Sequence, residues 1–163
     1  MDRGPDSRGV IDRVMDVCAA SPNTRCIAGN HEELLIRAFE GETKIIPTFH
    51  RAGGKETMLS YGGSEGVYDD ADSHQLSDLI AQHVPQAHVD FLSGLEDWVQ
   101  SGDYLFVHAG IRPGRPLADQ RKSDMRWIRE EFTRSQSDHG FIVIHGHSST
   151  EFVDDQPNRV GID

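Results

Sequence analysis

Cysteine, positive charge and long apolar runs are all scarce in this chain, and each shortage excludes a class of protein. The 163 residues include two cysteines, Cys18 and Cys26, which are too few for the disulfide framework of a small secreted domain. We expect both to be reduced structural thiols in a cytoplasmic protein. No apolar stretch is long enough to cross a bilayer, and the residues after Met1 lack signal-peptide character. We therefore expect no membrane partner.

The shortage of positive charge excludes a second group of functions. Sixteen lysines and arginines face 27 aspartates and glutamates, so the net charge is −11. Proteins that bind nucleic acid or anionic membranes do so mainly through lysine and arginine, and we expect neither partner. Phosphate can still bind locally, where a metal ion or a few directed arginines supply the positive charge. The length is that of one domain.

Apolar periodicity predicts an alternation of helices and strands, which is typical of an α/β fold. Helices are predicted over residues 8–20, 32–39, 73–84, 85–95 and 123–132. Strands are predicted over residues 24–28, 97–100, 104–107, 141–144 and 158–163. Between them, glycines repeatedly interrupt short helical pieces over residues 42–72, which predicts an irregular cap or insert there.

Polar side chains follow three of the predicted strands, at Asn30-His31, His108 and His147. Ligands collect at the carboxyl ends of strands in α/β sheets. Imidazole nitrogen and amide oxygen are suited to zinc, iron or manganese, so a metal site is one interpretation. The other interpretation is that each histidine is a surface or structural residue. We expect that for the histidines elsewhere in the chain, namely His50, His74, His83, His88 and His139.

Asp2, Arg3 and Arg129 indicate a second kind of chemistry. A carboxylate beside His31 would orient its imidazole and raise its basicity, so that it could protonate a leaving oxygen. An arginine fork at Arg3 would hold two phosphate oxygens at once. Arg129 is a second candidate fork, and Trp127 would anchor the helix that carries it. The alternative for either arginine is a solvated side chain.

Four segments together resemble the calcineurin-like metallophosphoesterases, and more narrowly their bacterial and phage-like serine/threonine phosphoprotein phosphatases. These segments are Asp2-Arg3-Gly4, Gly29-Asn30-His31-Glu32, His108-Ala109-Gly110 and Gly146-His147. The resemblance covers most of the chain outside residues 42–90. It implies a four-layer α/β/β/α sandwich, here as a single partial domain over residues 1–163 with a cap or insert around residues 42–72.

The resemblance also implies a dinuclear metal centre. Asn30, His108 and His147 match three ligands of one metal, with manganese expected and iron or zinc as alternatives. The family takes the ligands of the other metal, and the bridging aspartate, from Gly-Asp-x-His-Gly and Gly-Asp segments ahead of Asp-Arg-Gly, and this sequence begins at Met1, directly before Asp2. We therefore expect a fragment, truncated at both ends, that binds one metal weakly.

The reaction that the resemblance implies is hydrolysis of phosphoserine and phosphothreonine in proteins, through attack of a metal-bound hydroxide on phosphorus. Asp2 and His31 match the acid/base pair that protonates the departing oxygen. Arg3 matches a phosphate-gripping arginine, and Arg129 matches another. A phosphoprotein is then the expected partner, and no nucleic acid is expected.

Two alternatives remain open. The chain could belong to a dinucleoside-tetraphosphate hydrolase of the same superfamily, which shares the core and differs in the cap. It could also be a catalytically inactive truncated product that binds at most one metal or a partner. The segment Trp127-Ile128-Arg129 favours the phosphoprotein phosphatase.

Overall fold

The computed structural model describes residues 3–163, and the chain forms two compact units. The first unit contains the chain up to Thr24 and residues 31–94, and the second contains residues 25–30 and 95–163. Helices and one mixed sheet confirm the α/β class. Within the described part of the chain, no helix combines the length and apolar character needed to span a bilayer.

The first unit is helical. Its apolar side chains pack at helical spacing, and Leu35, Phe49 and Ile80 are fully buried. Helix α1 begins where the side chain of Asp6 accepts a hydrogen bond from the backbone of Gly9 at 2.9 Å. Helix α2 begins at Asn30, one residue before the second segment of this unit. The helices are α1 (Ser7–Ala20), α2 (Asn30–Phe39), α3 (Ile46–Phe49), α4 (Lys55–Ser60), α5 (Glu65–Asp70), α6 (Ser73–His83) and α7 (Gln86–Ser93).

Residues 42–72 contain more regular helix than their glycines indicate. A 3₁₀ turn, α3, a π-helical turn over His50–Gly54, α4 and α5 follow one another. Gly53 takes a φ of +113°, which kinks the chain between α3 and α4. At Gly54 an added Cβ would lie 2.5 Å from the ring of Phe49. These glycines therefore allow a kink and a close contact between helices.

The second unit is built on a five-stranded sheet with the order β1-β2-β3-β5-β4. The central strands β2, β3 and β5 are parallel, while β1 and β4 pair antiparallel at the edges. The strands are β1 (Trp98–Ser101), β2 (Tyr104–Val107), β3 (Ile142–His145), β4 (Asp154–Gln156) and β5 (Arg159–Gly161). The predicted strand over residues 24–28 is reduced to one parallel bridge between Ile27 and Glu96.

One face of this sheet is buried against helices. Leu105 and Val143 are inaccessible to solvent, and they share a core with Met125, Ile128 and Phe132. These last three residues come from α8 (Lys122–Trp127), from the link after it, and from α9 (Glu130–Thr133). The opposite face carries a row of apolar residues in register across four strands, listed from β1 to β5 as Val99, Phe106, Ile144 and Val160.

The single helix predicted over residues 123–132 is wrong, because the chain forms two helices there. Ile128 leaves helical geometry with a ψ of 145°, and its side chain is 6% exposed within the core. The break ends α8 and lets Arg129 precede α9. Burial of Ile128 therefore overrides the helical period of the segment.

The edge strand β4 was not predicted. Its sequence, Asp154-Asp155-Gln156, has low intrinsic strand propensity. Antiparallel pairing with β5 forms it, in a register that places Asp155 opposite Val160. An ion pair between Arg159 and Asp154 at 3.0 Å joins the two strands. The strand predicted over residues 158–163 is confirmed over Arg159–Gly161.

Candidate functional site

Three of the predicted site residues lie together at one edge of the sheet in the second unit. His108 directly follows β2, and His147 follows β3 by two residues. Because β2 and β3 are parallel and adjacent, both strand ends meet at the same edge. The two imidazole rings lie 5.1 Å apart, centroid to centroid. Asn30 completes the group, since its Oδ1 lies 2.7 Å from Nε2 of His108.

Backbone hydrogen bonds hold the loop that carries His108. The amide of Ala109 donates to the carbonyl of Met125 at 2.8 Å, and the amide of Gly146 donates to the carbonyl of His108 at 2.8 Å. Gly110 has a φ of +146°, and a Cβ there would lie 2.3 Å from the ring of Phe132. Only glycine fits this position, so the chain after His108 leaves the strand along a defined path.

His147 occupies an unusual backbone conformation. Its φ is +66°, the only positive φ recorded for a non-glycine residue within residues 3–163. Such a conformation costs free energy for any residue with a Cβ. Here the guanidinium of Arg129 donates to the carbonyl of His147 at 3.0 Å, and Trp127 contacts its ring edge-on with the centroids 6.3 Å apart. Strain that is retained with such support is typical of a functional position.

Arg129 is exposed, and one of its N–H groups makes the bond to His147. A guanidinium carries five N–H donors, so most of them stay directed to solvent. The bond to His147 keeps the guanidinium of Arg129 beside the two imidazoles, and its other N–H groups can donate to an oxyanion. Trp127 was expected to anchor the helix, but its edge contact with His147 was not foreseen.

A cavity of about 360 Å³ adjoins these residues. Its apolar wall comes from side chains at the open face of the sheet, including Ile27, Phe106 and Ile144, and its polar wall includes His108 and His147. The first unit has larger grooves, of about 630 and 470 Å³, but neither is lined by a pair of histidines. The chemistry of the side chains, and not the volume, identifies the smaller cavity as the candidate site.

The ligand atoms of Asn30, His108 and His147 are of types that divalent cations bind, but three ligands are fewer than such an ion takes. Two donors that share a metal at right angles lie about 3 Å apart, given metal–nitrogen distances near 2.1 Å, and Asn30 Oδ1 and His108 Nε2 are 2.7 Å apart. His147 would be the third donor. None of the three side chains carries a negative charge, and within residues 3–163 no group of three or more histidine, cysteine, aspartate or glutamate side chains converges on a possible metal position. A bound ion would therefore need further ligands, such as water or carboxylate oxygen.

His145 lies next to the site but faces the core. It is 2% exposed, its Nδ1–H donates to the carbonyl of Gly146 at 3.0 Å, and its ring packs against Phe132 with the centroids 5.0 Å apart. Burial lowers the pKa of His145 below the usual range for histidine. The neutral ring therefore supports the end of β3, a role that the pattern His145-Gly146-His147 did not distinguish from ligation.

The other predicted site residues belong to the first unit or lie outside the described residues. His31 is half-buried in the first turn of α2. Arg3 is exposed in the bend before α1. Asp2, the predicted partner of His31, lies outside the described residues, so its role stays a prediction.

Comparisons with protein-family models and with curated proteins found no match to this chain. The candidate site therefore stands on its residues and their geometry.

Proposed function

We propose that this chain carries part of the active site of a metal-dependent phosphoester hydrolase that acts on phosphoserine and phosphothreonine in proteins. The observation that carries the proposal is the convergence of Asn30, His108 and His147 at one sheet edge, with the fork of Arg129 on the carbonyl of His147. The sequence motifs predict each of these residues as part of the site. Metal donors beside an arginine fork form a site suited to phosphate.

The sheet supports the finer fold proposal, a four-layer α/β/β/α sandwich. Parallel strands are normally covered on both faces, and β2 and β3 bury one face against α8 and α9. On the other face Phe106 remains 37% exposed and Tyr104 46% exposed. An apolar, partly exposed face is what the inner surface of one half of a sandwich would present.

Each residue of the site has a proposed role in hydrolysis. A divalent cation held by Asn30, His108 and His147 would activate water and polarise the phosphoryl group. Arg129 orients a phosphate through its outward N–H donors, while its bond to the carbonyl of His147 keeps the guanidinium in place. The role that the sequence predicts for His31 is donation of the proton that the departing serine or threonine oxygen requires. Asp2 and Arg3 keep the roles that the sequence predicts, orientation of His31 and phosphate binding.

Hydrolysis assays on the full chain loaded with Mn²⁺ test this proposal. We expect turnover of p-nitrophenyl phosphate and of a phosphoserine peptide, and a smaller rate with diadenosine tetraphosphate as comparison substrate. His147→Ala should abolish turnover, whereas His74→Ala, at an exposed position in the first unit, should retain it. If the wild-type chain leaves all of these substrates unchanged, the proposed activity is wrong for this chain.

A second candidate is a non-enzymatic chain that binds a single metal. The donor set favours it, because Asn30, His108 and His147 together supply ligands for one ion. Metal content after dialysis distinguishes the two candidates. Two tightly held metal ions per chain would contradict the non-enzymatic candidate, and one weakly held ion without turnover would support it.

A further inference from the structure

The second unit contains a basic segment in an otherwise acidic protein. Residues 111–134 include seven lysines and arginines against four aspartates and glutamates, whereas the whole chain has a net charge of −11. Arg112 and Arg115 of this segment contact one carboxylate, that of Asp124, and Arg121 acts on the same carboxylate through its charge. We call Arg112, Arg115 and Arg121 the arginine cluster.

Asp124 is the carboxylate that pairs with Arg112 and Arg115. It is 9% exposed, and it accepts two hydrogen bonds from Arg112, from Nε at 3.0 Å and from Nη2 at 2.7 Å. Arg115 contributes a third contact at 3.4 Å. The bond from Arg112, and then the charges of all three arginines, hold the pKa of Asp124 below its usual range. The carboxylate therefore stays charged and orients the guanidinium groups of Arg112 and Arg115.

The loop between these arginines is held by the side chain of Gln120. Its Oε1 accepts from the amide of Arg112 at 2.8 Å, and its Nε2 donates to the carbonyls of Arg112 and Arg115, both at 2.9 Å. The backbone of the cluster is thus set without a ligand, which reduces the entropy lost on binding.

The members of the arginine cluster differ in how many carboxylates pair with them. Arg112 is occupied by Asp124 and by Glu131, whose carboxylate lies 2.8 Å from its Nη1. Arg121 is exposed, and within residues 3–163 no carboxylate is recorded within ion-pair distance of it. Arg115 makes only a longer contact, at 3.4 Å, with Oδ2 of Asp124, the oxygen that also accepts from Nε of Arg112. Arg115 and Arg121 are therefore the members available to an incoming anion.

The arginine cluster is linked to the candidate site by short connections within the second unit. Asp124 precedes Met125, whose carbonyl binds the amide of Ala109 next to His108. Glu131, the second partner of Arg112, lies two residues after Arg129. The arginine cluster and the candidate site therefore belong to the same part of the second unit.

We propose that Arg115 and Arg121 bind the acidic flank of a phosphorylated peptide, so that the substrates are phosphoproteins with aspartate or glutamate near the phosphorylated residue. This inference rests on the proposed phosphatase function, and it adds the substrate class. Carboxylates match arginine forks in geometry as well as charge. The strongly acidic chain as a whole disfavours a long polyanion such as nucleic acid.

Fluorescence anisotropy on the full chain tests the inference without requiring turnover. The probes are a phosphoserine peptide flanked by glutamates, the same peptide flanked by glutamines, and a single-stranded oligothymidine. We expect the glutamate-flanked peptide to bind roughly tenfold tighter than the glutamine-flanked one. The difference should shrink as salt rises from about 50 to about 300 mM.

The variant Arg115→Gln/Arg121→Gln should remove this preference. Arg134→Gln is the matched control, since Arg134 has a 76% exposed side chain in the same basic segment and pairs with Glu130, the first residue of α9. Unchanged thermal unfolding of the double variant would show that the fold is intact. Equal binding of the two peptides by the wild type, a preference that survives the double variant, or oligothymidine binding as tight as that of the acidic peptide would each overturn the inference.

Turnover of p-nitrophenyl phosphate, which has no flank, separates this inference from the proposed function. Turnover without a flank preference would contradict the arginine cluster and leave the phosphatase proposal standing. A flank preference without turnover would support the arginine cluster and contradict the proposed catalysis.

Discussion

Histidines have two different roles in this protein, which His88 of the first unit and the pair His108 and His147 of the second unit illustrate. In the first unit His88 is 5% exposed, with Nδ1 2.8 Å from the hydroxyl of Tyr61 and Nε2 2.9 Å from Oδ1 of Asp12. Since Asp12 accepts the Nε2–H, the Nδ1 of a neutral ring accepts from Tyr61. In the second unit His108 and His147 are half-buried at strand ends and line a cavity.

The difference teaches how a structural histidine can be told from a candidate ligand. The ring of His88 joins α1, the end of α4 and α7 through protein groups alone. Burial, and then the charge of Asp12, raises the pKa of Tyr61 well above its usual value, so this hydroxyl remains a donor. His147, by contrast, holds a strained backbone beside a cavity. Backbone conformation and the position beside a cavity therefore make the distinction.

The largest effect is expected at Gly110, which shapes the chain after His108. Gly110→Ala must adopt a φ of +146° and place its Cβ 2.3 Å from the ring of buried Phe132. We expect the free energy of unfolding to fall by about 3 kcal/mol. Gly114→Ala is the control, since its φ is +73° but nothing lies within 4 Å of the added Cβ, and it should cost about 1 kcal/mol. Urea unfolding measures both, and equal losses would contradict the close contact with Phe132.

Replacement of His88 tests the structural half of the comparison. His88→Leu keeps apolar volume but leaves the hydroxyl of Tyr61 and the carboxylate of Asp12 without their imidazole partner. We expect a loss of about 2 kcal/mol in the free energy of unfolding. His74→Ala, at an exposed position, should change it by less than about 0.5 kcal/mol. A His88 variant as stable as the wild type would remove the contrast between the units.

Acid should weaken the second unit through Asp124. Its pKa is lowered in the folded protein, so the unfolded chain takes up the proton first as pH falls. The stabilisation is complete above the usual aspartate pKa of about 3.9 and is lost as pH falls through the lower folded value. Asp124→Asn should remove about 1.5 kcal/mol at pH 7 and flatten the stability profile below about pH 4. Asp70→Asn, at an exposed position in the first unit, should leave that profile unchanged.

Manganese should distinguish the two groups of histidines directly. At roughly ten times its dissociation constant, Mn²⁺ should raise the free energy of unfolding by about 1.4 kcal/mol. His147→Ala should abolish this increase, whereas His88→Leu should keep it despite a lower starting stability. Calorimetric unfolding with and without Mn²⁺ gives the comparison. An increase that survives in His147→Ala would place the metal elsewhere.

The smallest effect concerns the backbone at His147. Because its φ is +66°, glycine is better suited to this position than alanine. We expect His147→Gly to be about 1 kcal/mol more stable than His147→Ala, although both lose the imidazole. Urea unfolding of the two variants checks this. A more stable alanine variant would contradict the left-handed conformation.

Much of the secondary structure could be predicted because it follows from local patterns. The periodic apolar residues of α1 and the alternation in β2 each define one face, and the hairpin β1-β2 turns at Gly102, where φ is +57°. The break after α8 could not be predicted, because it depends on the burial of Ile128 in a core formed by distant strands. Strand β4 was missed for the same reason, since only β5 makes it a strand.

For the site, residue order was enough to select Asn30, His108 and His147, because polar residues that follow apolar strands are visible in a single sequence. Sequence order could not show that Oδ1 of Asn30 lies 2.7 Å from the ring of His108. Nor could it show that Arg129 reaches the carbonyl of His147. Those contacts join residues that are far apart along the chain, so the parallel pairing of β2 with β3 and the break before α9 decide them. Local patterns therefore select the residues, and tertiary packing sets the distances between them.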